Sequence, residues 1–260
     1  MSALFHLYLC GRIAAEWWIF MEIIIVALAA FSAGIVQTVS GFGGSLVIML
    51  FLPAIMSLMD AITLNQTIMI VLDISLIITY RKSFRFRQVI LPAAVSLIFT
   101  TLFTDIAMMV NVKTMKLLFG IFLVCVSIYF WFFSHKVKAS PSRTVGCVCG
   151  ALSGTANGLF GIGGPPIAVY YLAVSDSKDA YIGTTQFFFL IVTLYTIAFR
   201  YSKGLICEGF WQYSLLGIAA ILTGKLVGKK INNRISPETM KKCVYICLFV
   251  TGLSTVFQSI

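Results

Sequence analysis

Long apolar stretches separated by short polar or basic clusters set the pattern of this chain. The windows at roughly 61–80, 88–110, 114–134, 183–200, 209–228 and 241–259 each approach the length that crosses a bilayer, about 20 residues for about 30 Å of hydrocarbon. Two longer stretches, about 17–59 and 144–175, are interrupted in the middle by glycine. The first reads AGIVQTVSGFGGSLVIMLFLP (Ala33 to Pro53) and the second SGTANGLFGIGGPPIAVYYLA (Ser153 to Ala173). Without a gap, Gly34, Gly41, Gly43 and Gly44 fall on Gly154, Gly161, Gly163 and Gly164, 120 residues apart. The same register sets Gln37 on Asn157, Asn65 on Thr185 and Gln66 on Gln186. Duplicated apolar halves with Gly/Pro interruptions at corresponding places point to a transporter whose site lies at the breaks.

Composition agrees with an all-α, polytopic membrane protein. Hydrophobic residues make up 60% of the chain and charged residues 11%, with a mean hydropathy near +0.99. A soluble domain of this size cannot hide that much apolar surface. The net charge of +10 does not call for nucleic acid, because Lys and Arg collect in cytoplasmic loops. No basic stripe interleaved with aromatics stands apart from the span ends.

The distribution of those charges separates two topologies. If each motif region crosses once, Lys and Arg divide 10 to 9 between the two sides. If each is a hairpin that enters and leaves on one face, the halves are inverted and the split becomes 14 to 5. Only the second obeys the positive-inside rule. The expectation is therefore two inverted repeats, each a broken-helix hairpin plus three transmembrane helices, with both termini outside. Residues 1–16 read as an N-terminal lead-in, 17–134 as the first repeat, 135–143 as a basic cytoplasmic linker and 144–260 as the second repeat. Trp17 and Trp18 are expected at the interface, and the N-terminus lacks the pattern of a signal peptide. Gly146, Gly150, Gly154 and Gly158 recur every four residues, a ridge that lets helix backbones approach in lipid. The matching Val26, Ala30, Gly34 and Thr38 are a weaker copy.

Chemistry is expected at the breaks. Gly163-Gly164-Pro165-Pro166 reads as an interruption followed by a fresh helix start, since proline is tolerated in the first turn. Gly43-Gly44-Ser45 does the same in the first half, with Ser45 a possible N-cap. Each new start presents unpaired N–H groups and a positive dipole end, so two facing starts make an anion site. The candidate substrate-binding residues are Gln37, Ser40, Gly43, Gly44, Asn65, Gln66, Asn157, Gly163, Gly164, Thr185 and Gln186. Two roles are open to these amides and hydroxyls: ligating a small oxyanion, or satisfying backbone groups freed at the kinks. Asp73 is the acid well inside a span, where a charge is costly unless protonated, paired or near water. It is a proton-coupling candidate, against a structural hydrogen bond to the neighbouring hairpin. Glu22, Asp60 and Asp105 lie near span ends.

Other chemistries are weaker. GFGGS lacks the strand context of a dinucleotide loop, and no GxxxxGK[ST] is present. The seven cysteines are scattered and odd in number, which is no disulfide framework. Cys147 and Cys149 point about 200° apart on a helix, and Cys243 with Cys247 lacks a nearby His. No metal or cofactor is expected. An intramembrane enzyme would need a nucleophile–base pair at midplane, and neither His6 nor His135 lies there.

At these motifs the chain resembles the sulfite exporter TauE/SafE family, also called the 4-toluene sulfonate uptake permease family. The resemblance rests on GFGGSLVIMLFLP paired with GIGGPPIAVYYL and covers nearly the whole chain. It implies a multi-pass transporter of the bacterial inner membrane that moves a sulfur-containing or other small organic anion. Partners implied are a small anionic substrate, a coupling proton or cation, and the lipid bilayer. The chain departs from the usual pattern at Ser40 and Ser45-Leu46.

Overall fold

A computed structural model describes residues 2–83, 85–133, 142–205, 209–231 and 237–259, with side chains from residue 17 onward except 19, 130, 132–133 and 237–244. The linker segment 134–141 and the side chains of His6, His135, Cys10, Cys207 and Cys243 lie outside the described residues. Ten helices follow in order among the described residues: α1 (Ser2–Ser40), α2 (Gly44–Phe51), α3 (Leu58–Tyr80), α4 (Phe86–Met109), α5 (Val112–Phe133), α6 (Arg143–Phe160), α7 (Gly164–Val174), α8 (Lys178–Ser202), α9 (Phe210–Ile231) and α10 (Pro237–Ser259). No strand occurs among them. Six helical segments are long and apolar enough to cross a bilayer, and Gly44–Ala54, Gly164–Val174 and Tyr245–Ser259 are shorter apolar pieces. The chain is a multi-pass α-helical membrane protein. Trp17 and Trp18 are exposed, as are apolar side chains along α4 such as Ile90, Ile98 and Leu102, which suits contact with lipid rather than water.

Both glycine motifs interrupt a helix. Gly41 and Gly43 adopt φ of 80° and 96°, and Gly161 adopts 67°, a left-handed backbone that only glycine enters cheaply. Pro165 and Pro166 occupy the first turn of α7. In the first half Gly43 is the N-cap and makes no side-chain cap, while Ser45 sits inside the first turn of α2. The expected Ser45 cap is thus corrected: the tight glycine turn starts the helix two residues earlier. The chain folds back at each break. Gln37, in the last turn of α1, accepts the Gly44 N–H at 2.8 Å, and Ser153, nearly two turns before the end of α6, donates to the Gly163 carbonyl.

Helix pairings repeat with the halves exchanged. α1 packs along α9 and α6 along α4, the two most extensive pairs of this kind, while α3 packs on α8 and α5 on α10. The direction follows from named contacts. Arg200 near the end of α8 reaches Met59 at the start of α3, and the Arg85 N–H beyond the end of α3 donates to Thr184 at the start of α8. These matched helices therefore run antiparallel. Ser127 of α5 donates to the Tyr245 carbonyl of α10 while Gly120 packs on Gly252 and Val256, so that pair is antiparallel too.

The glycine ridge explains the tight α4–α6 pair. A Cβ on Gly150 or Gly154 would overlap the carbonyl oxygen of Pro92 or Ser96, and one on Gly158 would lie 2.7 Å from that of Thr100. The close approach lets Thr100 and Thr104 donate to the Gly154 and Gly158 carbonyls at 3.3 and 3.4 Å. In the other half α9 supplies much of the ridge: a Cβ on Gly224 would overlap the Phe31 carbonyl, and one on Gly34 that of Ile221.

Two basic residues counted with the charges at the span ends lie within helices, one of them buried. Arg200 is fully buried in α8. Lys225 lies within α9 and donates to the Ser75 carbonyl at 3.0 Å and to the Ser75 hydroxyl. Each finds oxygen partners that a hydropathy window cannot register. Of the other acids, Glu22 accepts from Tyr213, Asp60 from the Ser57 hydroxyl, and Asp105 pairs with Lys203 at 3.1 Å.

Candidate functional site

The breaks meet in the interior, where a Cβ on Gly164 would lie 4.0 Å from that of Phe42. Each is held by a side chain from the other half. Gln186 of α8 donates to the Gly41 carbonyl at 2.8 Å. Gln66 and Asn65 of α3 both donate to the Gly161 carbonyl at 3.1 Å. The arm residues close the pattern: Gln37 donates to Gln186 Oε1 at 3.1 Å, and Gln66 donates to Asn157 Oδ1 at 2.7 Å. Asn157 in turn donates to Thr196 at 3.0 Å. Under the 120-residue register, Gln37/Gln186 and Asn157/Gln66 are the same pair seen from opposite halves. A broken backbone inside apolar surroundings needs such partners, because each orphaned carbonyl is costly.

A cavity lies between the breaks with about 30 Å³ of free space. Its wall is built from matched positions: Gln37 and Asn157, Gly43 and Gly163, Ser45 and Pro165, Met69 and Phe189, Asp73 and Thr193. Leu46, Gln66, Ser153, Gly161, Ile162, Gly164, Phe188 and Val192 complete it. Asp73 is buried at the wall, and its partner among the described side chains is Gln37 Nε2 at 3.5 Å.

Of the residues singled out from sequence, Gln37, Gly43, Gln66, Asn157, Gly163, Gly164 and Asp73 line the cavity. Gly44 sits behind it with its N–H on Gln37. Gln186 and Asn65 reach the break carbonyls from outside the wall. Ser40 turns to the Val36 and Phe42 carbonyls at 2.7 and 2.6 Å. Thr185 is buried apart from the wall, and neither its hydroxyl nor Asn65 Oδ1 has a hydrogen-bond partner among the described residues. Sequence reasoning missed Met69, Phe189 and Ser153. The first two fall on each other at the 120-residue offset, so the register held a signal for them; Ser153 carried none.

The arrangement offers polar but uncharged groups, two helix starts and one carboxyl around a small space. Among the described residues no cluster of three or more His, Cys, Asp or Glu could hold a metal. The family model described as sulfite exporter TauE/SafE matches residues 26–255. A relative from Methanocaldococcus jannaschii, described as "Probable membrane transporter protein", is 25% identical over 265 residues, covering 93% of this chain and 97% of its own. No solved structure gives a significant match.

Proposed function

The chain belongs to the sulfite exporter TauE/SafE family of membrane transporters, and from that premise we propose that it is a secondary transporter of a small sulfur-containing anion, sulfite or an organosulfonate. The observation that carries this reading is the pair of crossed breaks around one cavity. Unlatched, each break frees amide donors and a helix start, which together favour an anion without a fixed cation that would hold it too tightly. The cavity is small, which suits a closed state that widens when a break unlatches.

Movement is alternating access. The halves are read as inverted repeats, 17–134 and 144–260, which the antiparallel α3/α8 and α5/α10 pairs support. With Arg200 and Lys225 left out of the count, the remaining Lys and Arg divide 13 to 4, still favouring termini outside and the 135–143 linker in the cytoplasm of a bacterial inner membrane. Unlatching Gln186 from Gly41 opens one side and unlatching Gln66 from Gly161 the other. Asp73 at the wall couples the cycle to a proton, since an uncompensated carboxylate there is expensive.

The test is uptake into proteoliposomes of radiolabelled sulfite, thiosulfate or sulfoacetate, each with and without a pH gradient, beside a plain carboxylate. Saturable uptake of a sulfur oxyanion supports the reading. Uptake of the carboxylate alone moves the assignment to another small organic anion, and no uptake of any of them removes it.

A further inference from the structure

Arg200 is fully buried, and among the described residues its charge lacks a counter-ion. Its Nη2 donates to the Gly158 carbonyl at 3.2 Å and Nη1 to the Met59 thioether at 3.8 Å, while Nε has no partner. Among the described residues no carboxylate pairs with it. A guanidinium carries five donors, and a buried one with so few acceptors is costly unless an anion joins it. The end of α6 offsets part of that cost, because Gly158 lies in its last turn, the negative end of the helix dipole.

The residue also lies in line with the cavity. Gln186, Phe189, Thr193, Thr196 and Arg200 recur at spacings of three and four along α8, which places them on one helix face. Phe189 and Thr193 line the cavity and Thr196 holds Asn157. Arg200 follows two turns beyond Thr193, about 10 Å along the axis. Its mate in the first half is Tyr80, and on that side the part-buried Lys225 is held by the Ser75 carbonyl and hydroxyl of α3. Beyond Arg200, at the end of α8, stands the half-exposed Lys203–Asp105 pair.

We propose that Arg200 is a second anion station: the transported oxyanion pairs with its guanidinium between the cavity and the membrane face where α8 ends. The inference rests on the anion-transport reading above. The station makes the two sides of the path unlike: Arg200 is fully buried with few acceptors, whereas Lys225 is part-exposed and held by Ser75. It binds in passing, because the anion competes with the Gly158 carbonyl for the same N–H groups.

The experiment compares sulfite uptake by the full-length protein and its Arg200→Met and Arg200→Lys variants in proteoliposomes, with the melting midpoint of each. Met fills similar volume without charge, and replacing a buried ion in this way is often neutral or stabilising. The expected result is an Arg200→Met protein that melts near the wild type and has KM raised about tenfold or more, the size of one charged hydrogen bond. Arg200→Lys, which keeps the charge but not the fork, should recover most of that KM. An unchanged KM in Arg200→Met overturns the station, as does a large loss of melting midpoint with KM intact in Arg200→Lys. Absence of sulfur-oxyanion uptake by the wild type fails the transport reading itself, an outcome distinct from either.

Discussion

Truncating Gln186 to Ala tests whether the amides at the breaks are braces. The side chain is fully buried, donates to the Gly41 carbonyl at 2.8 Å and accepts from Gln37 at 3.1 Å. Its loss leaves one buried carbonyl and one amide N–H without their partners. Each such orphan costs about 1–3 kcal/mol, and partial re-pairing of Gln37 with Asp73, now at 3.5 Å, brings the sum to about 2–4 kcal/mol. For a chain of this size that is a fall of roughly 5–15 °C in melting midpoint, measured on detergent-solubilised protein. Gln37→Ala and the double variant complete a cycle, with a coupling of about 1 kcal/mol between the two side chains. If Gln186→Ala melts like the wild type while transport disappears, the amide acts on the substrate and not on the backbone, and the bracing argument is refuted.

Other perturbations reach different parts of the fold. Gly158→Ala puts a Cβ 2.7 Å from the Thr100 carbonyl and should cost about 1–3 kcal/mol by forcing α4 and α6 apart. The check is melting midpoint and folded yield, with Gly154→Leu expected to abolish the folded protein. Asp73→Asn keeps hydrogen-bonding capacity toward Gln37 but cannot change charge; it should abolish proton-gradient-driven uptake while sparing anion exchange, and persistence of gradient-driven uptake would eliminate Asp73 as the coupling group. Asp176→Asn breaks the exposed ion pair with Arg85 and should shift stability by less than about 1 kcal/mol, seen as a melting midpoint close to the wild type.

Much of this was legible from sequence because glycine and proline act locally. Gly41, Gly43 and Gly161 need φ above zero, and Pro165–Pro166 can only open a helix, so the breaks follow from residue type. The ridge from Gly146 to Gly158 was legible for the same reason, as a four-residue spacing on one face. What stayed hidden depends on partners distant in the chain. The Gln186–Gly41 bond joins residues 145 apart, and no local pattern distinguishes a brace from a ligand. Arg200 counts among the charges at a span end, because the sequence shows its charge and not the Gly158 carbonyl that receives it. The Ser45 cap failed because two glycines in succession left a choice of helix start that only the turn geometry decides.

The crossed bracing has a consequence for how the molecule is made. Gly41 leaves the ribosome long before Gln186, so its carbonyl waits for its acceptor-seeking amide through 145 further residues of synthesis, about 7–30 s at ordinary elongation rates. During that interval the first hairpin can sit in the bilayer with its tip held only by the local Gln37 and Ser40 hydrogen bonds. Assembly therefore finishes from the back: α8 is the element whose arrival braces the front loop, and a chain stopped before it would carry the bend without its brace from the second half.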